Sequence, residues 1–490
     1  MRKKWFAAAA VLLLIGAGGW NVECKAAEME SGPSLSSGFS EVFEEGNLVL
    51  QEKEVPAAME GMTAVSVSPD GTKMFGYRTE ESGNEILCIA DMENGTVTDV
   101  WIDGENGVED VYGTFAREEE YYQKYAYELG TPGAVVWSPD SSCLSPVPTL
   151  DAWAKRANFS FDLTLIDAES GAWIDLETTE NRLVGGEVGL PVSVCFDSTG
   201  ENLYYIEYGT RYETRTVLKT CNLETRKISV LSEICYPGDE NGNPLEQLLY
   251  LEPNRLAAIG IGMQGDVYWM YMDGQDGTWE TTFIPCGNYR DMSERNGEGP
   301  LIAPDMFDVG VDGRGLVLWE NSYDPRTGSY LSLTDLTTSM DISESMLTFP
   351  SDGLQTMRKE SLEELKNSGA DSNRSVCCVT LSPDNRYALL AIRNMGTSSS
   401  EAYQLNVLNL ETLEYKAVST DEAFQSRNLG RIFNLGRQPV FDWGEANQIL
   451  ISDEEGAVHV LEFVLGGNAS EENVSEGTLN RLNLRKEGKK

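Results

Sequence analysis

The chain has 490 residues, with 79 acidic against 37 basic, a formal charge of −42. A surface this negative excludes nucleic acid and anionic lipid as partners, because phosphate binding depends on clustered Lys and Arg, and it favours cations or basic partners. A single histidine, His459, leaves little material for nucleophile–histidine–acid chemistry.

At the N-terminus Arg2, Lys3 and Lys4 precede an uncharged run, Trp5 to Gly19. Its 15 residues fall short of the roughly 20 that a membrane span requires. Small side chains at Cys24 and Ala26 then precede Ala27. Basic, apolar and small segments in this order predict a secretory signal peptide over residues 1–26, with an uncleaved membrane anchor as the alternative. Cleavage removes four basic residues and one acidic residue, leaving 33 and 78. The mature chain is expected outside the cytoplasm with no membrane insertion. Residues 27–46 read as a disordered lead-in, and 466–490 as a disordered polar tail. Eight cysteines remain after cleavage. An even count permits disulfides, and Cys221 with Cys235 is the first pair to consider, because a turn between them would bring them together.

From residue 47 to 465 the chain repeats one unit. Its clearest copy is Val65-Ser-Val-Ser-Pro-Asp-Gly71, Lys73 to Tyr77, Ile86 to Met92 and Gly95-Thr-Val-Thr98. It reads as strand, Pro-Asp-Gly turn, strand, loop, strand, Gly turn, strand. Pro presets φ, Asp bonds its own backbone, and Gly accepts positive φ. Copies open near 65, 135, 192, 248, 307, 379 and 440, with Val135 to Asp140 and Val379 to Asn385 closest to the first. Four short antiparallel strands per unit make one blade of a β-propeller, so the fold expected is all-β and seven-bladed. A pair of β-sandwiches is the alternative architecture. The last unit shows three strands, and Asn47 to Lys53 is placed to supply the fourth and close the ring, removing its open edges. The spacing of about 60 exceeds the roughly 40 to 50 of simple blades, so long loops are expected. Two insertions are read as short helices: 105–133, whose stretch Arg117 to Glu128 has four tyrosines, and 351–374, where the Glu and Lys spacing from Met357 to Lys366 suits a surface helix.

In its Ser-Pro-Asp-Gly turns and strands ending in Asp, the chain resembles the TolB-like, WD40-like β-propeller repeats of bacterial exported proteins. Prolyl-oligopeptidase relatives carry the same repeat. The resemblance implies a fold and says little about activity. The peptidase relatives hold their catalytic groups in an α/β domain; no Gly-x-Ser-x-Gly elbow occurs here.

No catalytic, metal or cofactor set is read from the chain. Asp239 to Asn243 imitates the start of a calcium loop, but Pro244 stands where Gly is needed and Tyr250 where Glu closes it. The stretch Asp273 to Trp279 is read as a hairpin turn, and His459 as a strand residue. Tyr121, Tyr122, Tyr125 and Tyr127 in the first insertion are the candidate partner-binding residues, because Tyr combines area with a polar tip. Tyr268, Trp269 and Tyr271 alternate along a strand and are assigned to packing. The function expected is extracellular binding or scaffolding of a protein, peptide or cell-wall glycan through the loops. A carboxylate-dependent glycan hydrolase or lyase at the propeller centre, or a membrane-anchored sensor, are the alternatives.

Overall fold

The computed structural model describes residues 36–45, 48–53, 61–79, 85–100, 135–146, 163–177, 189–209, 216–237, 242–244, 248–262, 266–274 and 277–288. It further describes 302–309, 314–321, 329–335, 345–348, 355–358, 374–394, 403–420, 441–444, 448–452 and 458–465. All of them belong to one compact unit within Pro33–Lys490.

Among the described residues the fold is all-β apart from one helix, α1 (Ser36–Glu45). Strand β1 (Leu48–Glu52) follows it, and six sheets take up the remaining strands. Strands β2 to β5 (Met62–Val67, Lys73–Thr79, Glu85–Asp91, Val97–Asp99) form an antiparallel meander, as do β6 to β9 (Val135–Trp137, Cys143–Pro146, Leu163–Asp167, Trp173–Glu177). Another meander comprises β10 to β13 (Gly189–Phe196, Asn202–Gly209, Thr216–Asn222, Lys227–Ile234). In the next sheet β14 (Gly242–Pro244) and β15 (Leu249–Leu251) pair with opposite ends of β16 (Arg255–Gly262), which leads to β17 (Asp266–Asp273) and β18 (Glu280–Asn288). Strands β19 to β23 (Ile302–Val309, Arg314–Asn321, Ser329–Asp335, Ser345–Thr348, Gln355–Arg358) form a five-stranded sheet. The last sheet has eight strands: β24 to β27 (Arg374–Leu381, Tyr387–Asn394, Tyr403–Asn409, Tyr415–Thr420), then β1, then β30, β29 and β28 (Val458–Leu465, Gln448–Ser452, Phe441–Trp443).

The repeated turns are built as their residues dictate. Ser68 donates its hydroxyl to Asp70 (2.7 Å) and accepts the Lys73 amide (2.9 Å), while Asp70 also accepts the amide and hydroxyl of Thr72 (2.9 and 2.8 Å). Ser138 with Asp140, and Ser382 with Asp384, repeat the arrangement. Each turn has one residue at positive φ: Gly71 (69°), Ser141 (59°) and Asn385 (55°). The second hairpin of each unit is closed by Asp91, Asp167 or Asn409, whose side chain accepts the two amides that follow. Side chains with acceptors two residues from a free amide are the physical cause of these turns.

Three features depart from the sequence reading. Part of the supposedly disordered segment 27–46 is helix α1, whose Phe39 and Phe43 are buried one turn apart in a cluster with Leu48, Tyr387, Trp443 and Leu461. Rings of Tyr387, Trp443 and Phe463 all lie 4.9 Å from that of Phe39. A ten-residue helix of weak helix formers is marginal alone, so this packing stabilises it. In the second insertion, Gln355–Arg358 is strand β23, paired with β22 where a helix was expected from Met357; residues 359–373 lie outside the described residues. No disulfide joins Cys221 and Cys235, the first of which is buried and the second exposed. Cys221 faces Ile228 across β12 and β13, whereas Cys235 lies past Ile234, which faces Thr216. The two are therefore separated by roughly 20 Å along the strands.

Strand β1 occupies the place left open beside β30, pairing antiparallel from Leu48↔Leu465 to Glu52↔Leu461. It also pairs in parallel with β27, which makes the eight-stranded sheet continuous. His459 is a strand residue of β30 whose Nδ1 lies 2.8 Å from the Glu52 carboxylate on β1.

Candidate functional site

The opening strands of neighbouring units surround a cavity of about 370 Å³. Ser66, Val67, Ser68 and Pro69 line it from β2 and its turn, Val135, Val136 and Trp137 from β6, Pro383 from the turn after β24, and Asp442, Trp443 and Gly444 from β28. Its walls are mainly apolar and aromatic, with a few polar groups, the usual make-up of a ligand site.

The backbone fixes which residues arrive there. Each opening strand ends in an amide that donates across its turn: Ser68 to Lys73, Ser138 to Cys143, Asp197 to Asn202, Ser382 to Tyr387 and Gly444 to Gln448. Two residues before that amide stand Ser66, Val136, Cys195, Thr380 and Asp442. The register position thus carries a small or apolar side chain on the first four of these strands and a carboxylate on β28, and the matching place on β19 also holds a carboxylate, Asp308. Neighbouring units are joined at the same level. Trp137 donates its indole N–H to the Ser66 hydroxyl (2.9 Å), and the Trp443 amide donates to the Thr380 hydroxyl (2.9 Å).

Asp442 is exposed where it lines the pocket, as the turn aspartates are at their tips. Desolvation by the surrounding protein pushes its carboxyl above the usual carboxylate range, and hydrogen bonds from the Trp443 amide and the Thr380 hydroxyl offset only part of that. The turn aspartates behave oppositely. Partial burial raises Asp70 and Asp140, but hydrogen bonds from Ser68 and Thr72, and from Ser138 and Ser142, outweigh it and hold both below the usual range.

Of the sequence-derived candidates, Tyr121, Tyr122, Tyr125 and Tyr127 lie outside the described residues. Residues 242–244 of the calcium-like stretch are strand β14, with Asn243 opposite Ile261; the remainder lies outside the described residues. Asp273 to Trp279 is a hairpin turn, with Gly277 at φ 79° donating to the Gly274 carbonyl. Gly274 is required there, because a Cβ would meet the Trp279 ring at 2.3 Å. Tyr268 and Trp269 are buried and Tyr271 partly so, as packing residues. Among the described residues no three His, Cys, Asp or Glu side chains converge as a metal would need. The thiols of Cys88 and Cys195 are buried, Cys88 pushed up to about 12 by desolvation, so neither is poised as a nucleophile. Sequence reasoning passed over Asp442, although an acid between Phe441 and Trp443 in an otherwise apolar strand was a visible signal.

No protein-family model matches the chain, and no curated protein matches its sequence. Solved structures are similar to it at low identity, and three of them are β-propeller-like. An oligogalacturonate lyase of Vibrio parahaemolyticus is 9% identical, over 85% of this chain and 98% of that one, with a TM-score of 0.47. TolB of Acinetobacter baumannii is 11% identical over 81% of each chain, with a TM-score of 0.31. A periplasmic gluconolactonase of Pseudomonas aeruginosa is 12% identical, over 83% of this chain and 96% of that one, with a TM-score of 0.35. Likeness of this degree assigns neither activity nor ligand. What the described residues display is a repeat of antiparallel meanders whose opening strands line a pocket with one carboxylate, Asp442, in its wall.

Proposed function

We propose that the chain is an exported, seven-bladed β-propeller that works as a binding protein, with the cavity between its opening strands as the ligand site. The blade count rests on the strand order. Six meanders, counting the β14–β18 and β19–β23 sheets, are followed by β28 to β30 with β1 as their outer strand. Export rests on the basic, apolar and small segments of residues 1–26; among the described residues no helix is long and apolar enough to cross a membrane.

The observation that carries the binding reading is the cavity's composition. Trp137, Trp443, Val136 and Pro383 supply apolar area, and Ser66 and Asp442 supply polarity. Glycoside hydrolysis uses two carboxylates, roughly 5 to 9.5 Å apart; among the described residues lining this cavity, Asp442 is the single acid. The tyrosines of 105–133 remain a second surface through which a larger partner would be held.

A thermal-shift screen of oligosaccharides, short peptides and small polar molecules tests the reading. Ligands are expected to raise the melting temperature of the wild type and of Tyr121→Ala/Tyr125→Ala, but not of Val136→Trp, which fills the cavity. Circular dichroism would verify that Val136→Trp is folded. Ligands lost only in the tyrosine variant would move the site to the insertion. A polysaccharide shortened during incubation would overturn the binding reading in favour of the hydrolase or lyase.

A further inference from the structure

Resting on that reading, we propose that helix α1 is a strap that sets the pocket: the chain binds its ligand tightly only while α1 is seated, and a bound ligand in turn holds α1 in place. Two walls of the pocket come from the last two units, Pro383 from the turn after β24 and Asp442, Trp443 and Gly444 from the end of β28. Helix α1 grips both from behind. Phe39 packs edge-on to the Trp443 ring at 4.9 Å, and Phe463 lies 5.1 Å from the same ring. Phe39 is also 4.9 Å and Phe43 5.2 Å from the Tyr387 ring, and the Ser40 hydroxyl meets the Tyr387 hydroxyl at 2.9 Å. Tyr387 is the residue that closes the Pro383 turn. Its amide donates to Ser382 Oγ (2.9 Å), and its carbonyl accepts the Ser382 amide (2.9 Å).

The grip matters because β28 has little else to hold it. It is three residues long and ends its sheet, paired among the described residues with β29 alone. Beyond that short ladder, the Trp443 amide bond to Thr380 (2.9 Å) and the buried Trp443 ring are its anchors. Helix α1 is itself a two-state element. Its ten residues, SSGFSEVFEE, are too few and too weak as formers to stay helical when unseated. What seats it is the burial of Phe39 and Phe43, with Lys416 donating to the Phe43 carbonyl and lying 4.3 Å from the centre of its ring. Unseating α1 removes the ring behind Trp443 and the contacts on Tyr387 together, and lets residues 442–444 shift. Coupling of this kind is reciprocal: the affinity that the pocket gains from the seated helix, the seated helix gains from the ligand.

Isothermal titration calorimetry and hydrogen exchange test the inference, both on the full mature chain with 2-phenylethanol as a neutral aromatic probe. Phe39→Ala is expected to bind the probe at least about fivefold more weakly than wild type. Phe39→Leu, which keeps an apolar side chain against Trp443, should recover most of that loss. Leu256→Ala truncates a buried side chain in a core cluster with no pocket-lining member. It should lose stability yet bind the probe as wild type does, which separates positioning from general destabilisation. In the other direction, probe at about ten times its Kd should slow exchange of the α1 amides in the wild type, by up to about tenfold. Equal binding by wild type and Phe39→Ala, or α1 exchange that saturating probe does not slow, would overturn the proposal. Binding still abolished by Val136→Trp would in that case leave the pocket as the ligand site without the strap. A wild type that does not bind the probe would also overturn it, and the binding reading would fall with it only if no screened ligand were sensitive to Val136→Trp.

Discussion

The turns and the cavity use the same residue type for opposite ends. Asp70 and Asp140 each sit at the tip of an opening hairpin, take a hydroxyl from the preceding Ser and an amide from the residue two places on, and are held below the usual carboxylate range. Asp442 sits two residues inside the equivalent strand end, has a hydroxyl and an amide as its partners, and is pushed up. Desolvation is the largest single influence on all three, and four hydrogen bonds outweigh it at Asp70 and at Asp140 where two do not at Asp442. The lesson is that one residue type in one repeat is held below or above its usual range according to how many donors its strand position brings to it.

The largest effect expected from breaking this contrast is in the turns. Asp70→Ala with Asp140→Ala removes the acceptors that close two hairpins, and about 1–2 kcal/mol per turn should be lost, read as a lowered urea midpoint. An unchanged midpoint would mean the turns are set by Pro and Gly alone. Next comes Thr380→Val. It removes the hydroxyl that accepts the Trp443 amide, at a cost of about 1 kcal/mol, and with it a hydrogen bond that lowers Asp442, so that carboxyl should titrate still higher in a ¹³C NMR titration. A fall would show that Thr380 does not reach it. The acid limb of stability sharpens the contrast further. The lowered folded pKa values of Asp70 and Asp140 give stability that is present above the unfolded value near 3.9 and lost as pH falls through the folded values. The double variant should therefore show a flatter acid limb than the wild type in denaturant melts at successive pH values.

The fold was legible where side chains act on their own backbone. Ser68-Pro69-Asp70 and Asp91 to Gly95 announce turns because their acceptors and positive-φ residues act within five positions, and the continuous apolar and aromatic run Leu203 to Ile206 announces a strand buried on both faces. The strand beside β30 was legible too, from Leu48 and Leu50 and the three-strand count of the last unit. Helix α1 was not. Its sequence, SSGFSEVFEE, has weak formers, and what orders it is contact with Tyr387, Trp443 and Phe463, which are hundreds of residues away. The strand at Gln355–Arg358 was missed for the same reason, since its partner β22 outweighs a local helical pattern. Asp442 was written in the sequence as an acid inside Phe441-Asp442-Trp443, but its meaning depends on Ser66, Trp137 and Thr380 arriving around it from other strands.

The most direct test of the central claim is the unfolding free energy of Asp442→Asn relative to wild type, measured by chemical denaturation from pH 7 down to pH 4. A raised folded pKa means that the fold loses stability as pH rises through it, so removing the charge should help at neutral pH and not in acid. The account predicts that the variant is more stable at pH 7, by at most about 1 kcal/mol because solvent screens the exposed charge. That gain should fade as pH falls through the raised pKa towards the ordinary carboxylate range. A variant that is less stable at pH 7, or a difference that does not change with pH, would contradict it.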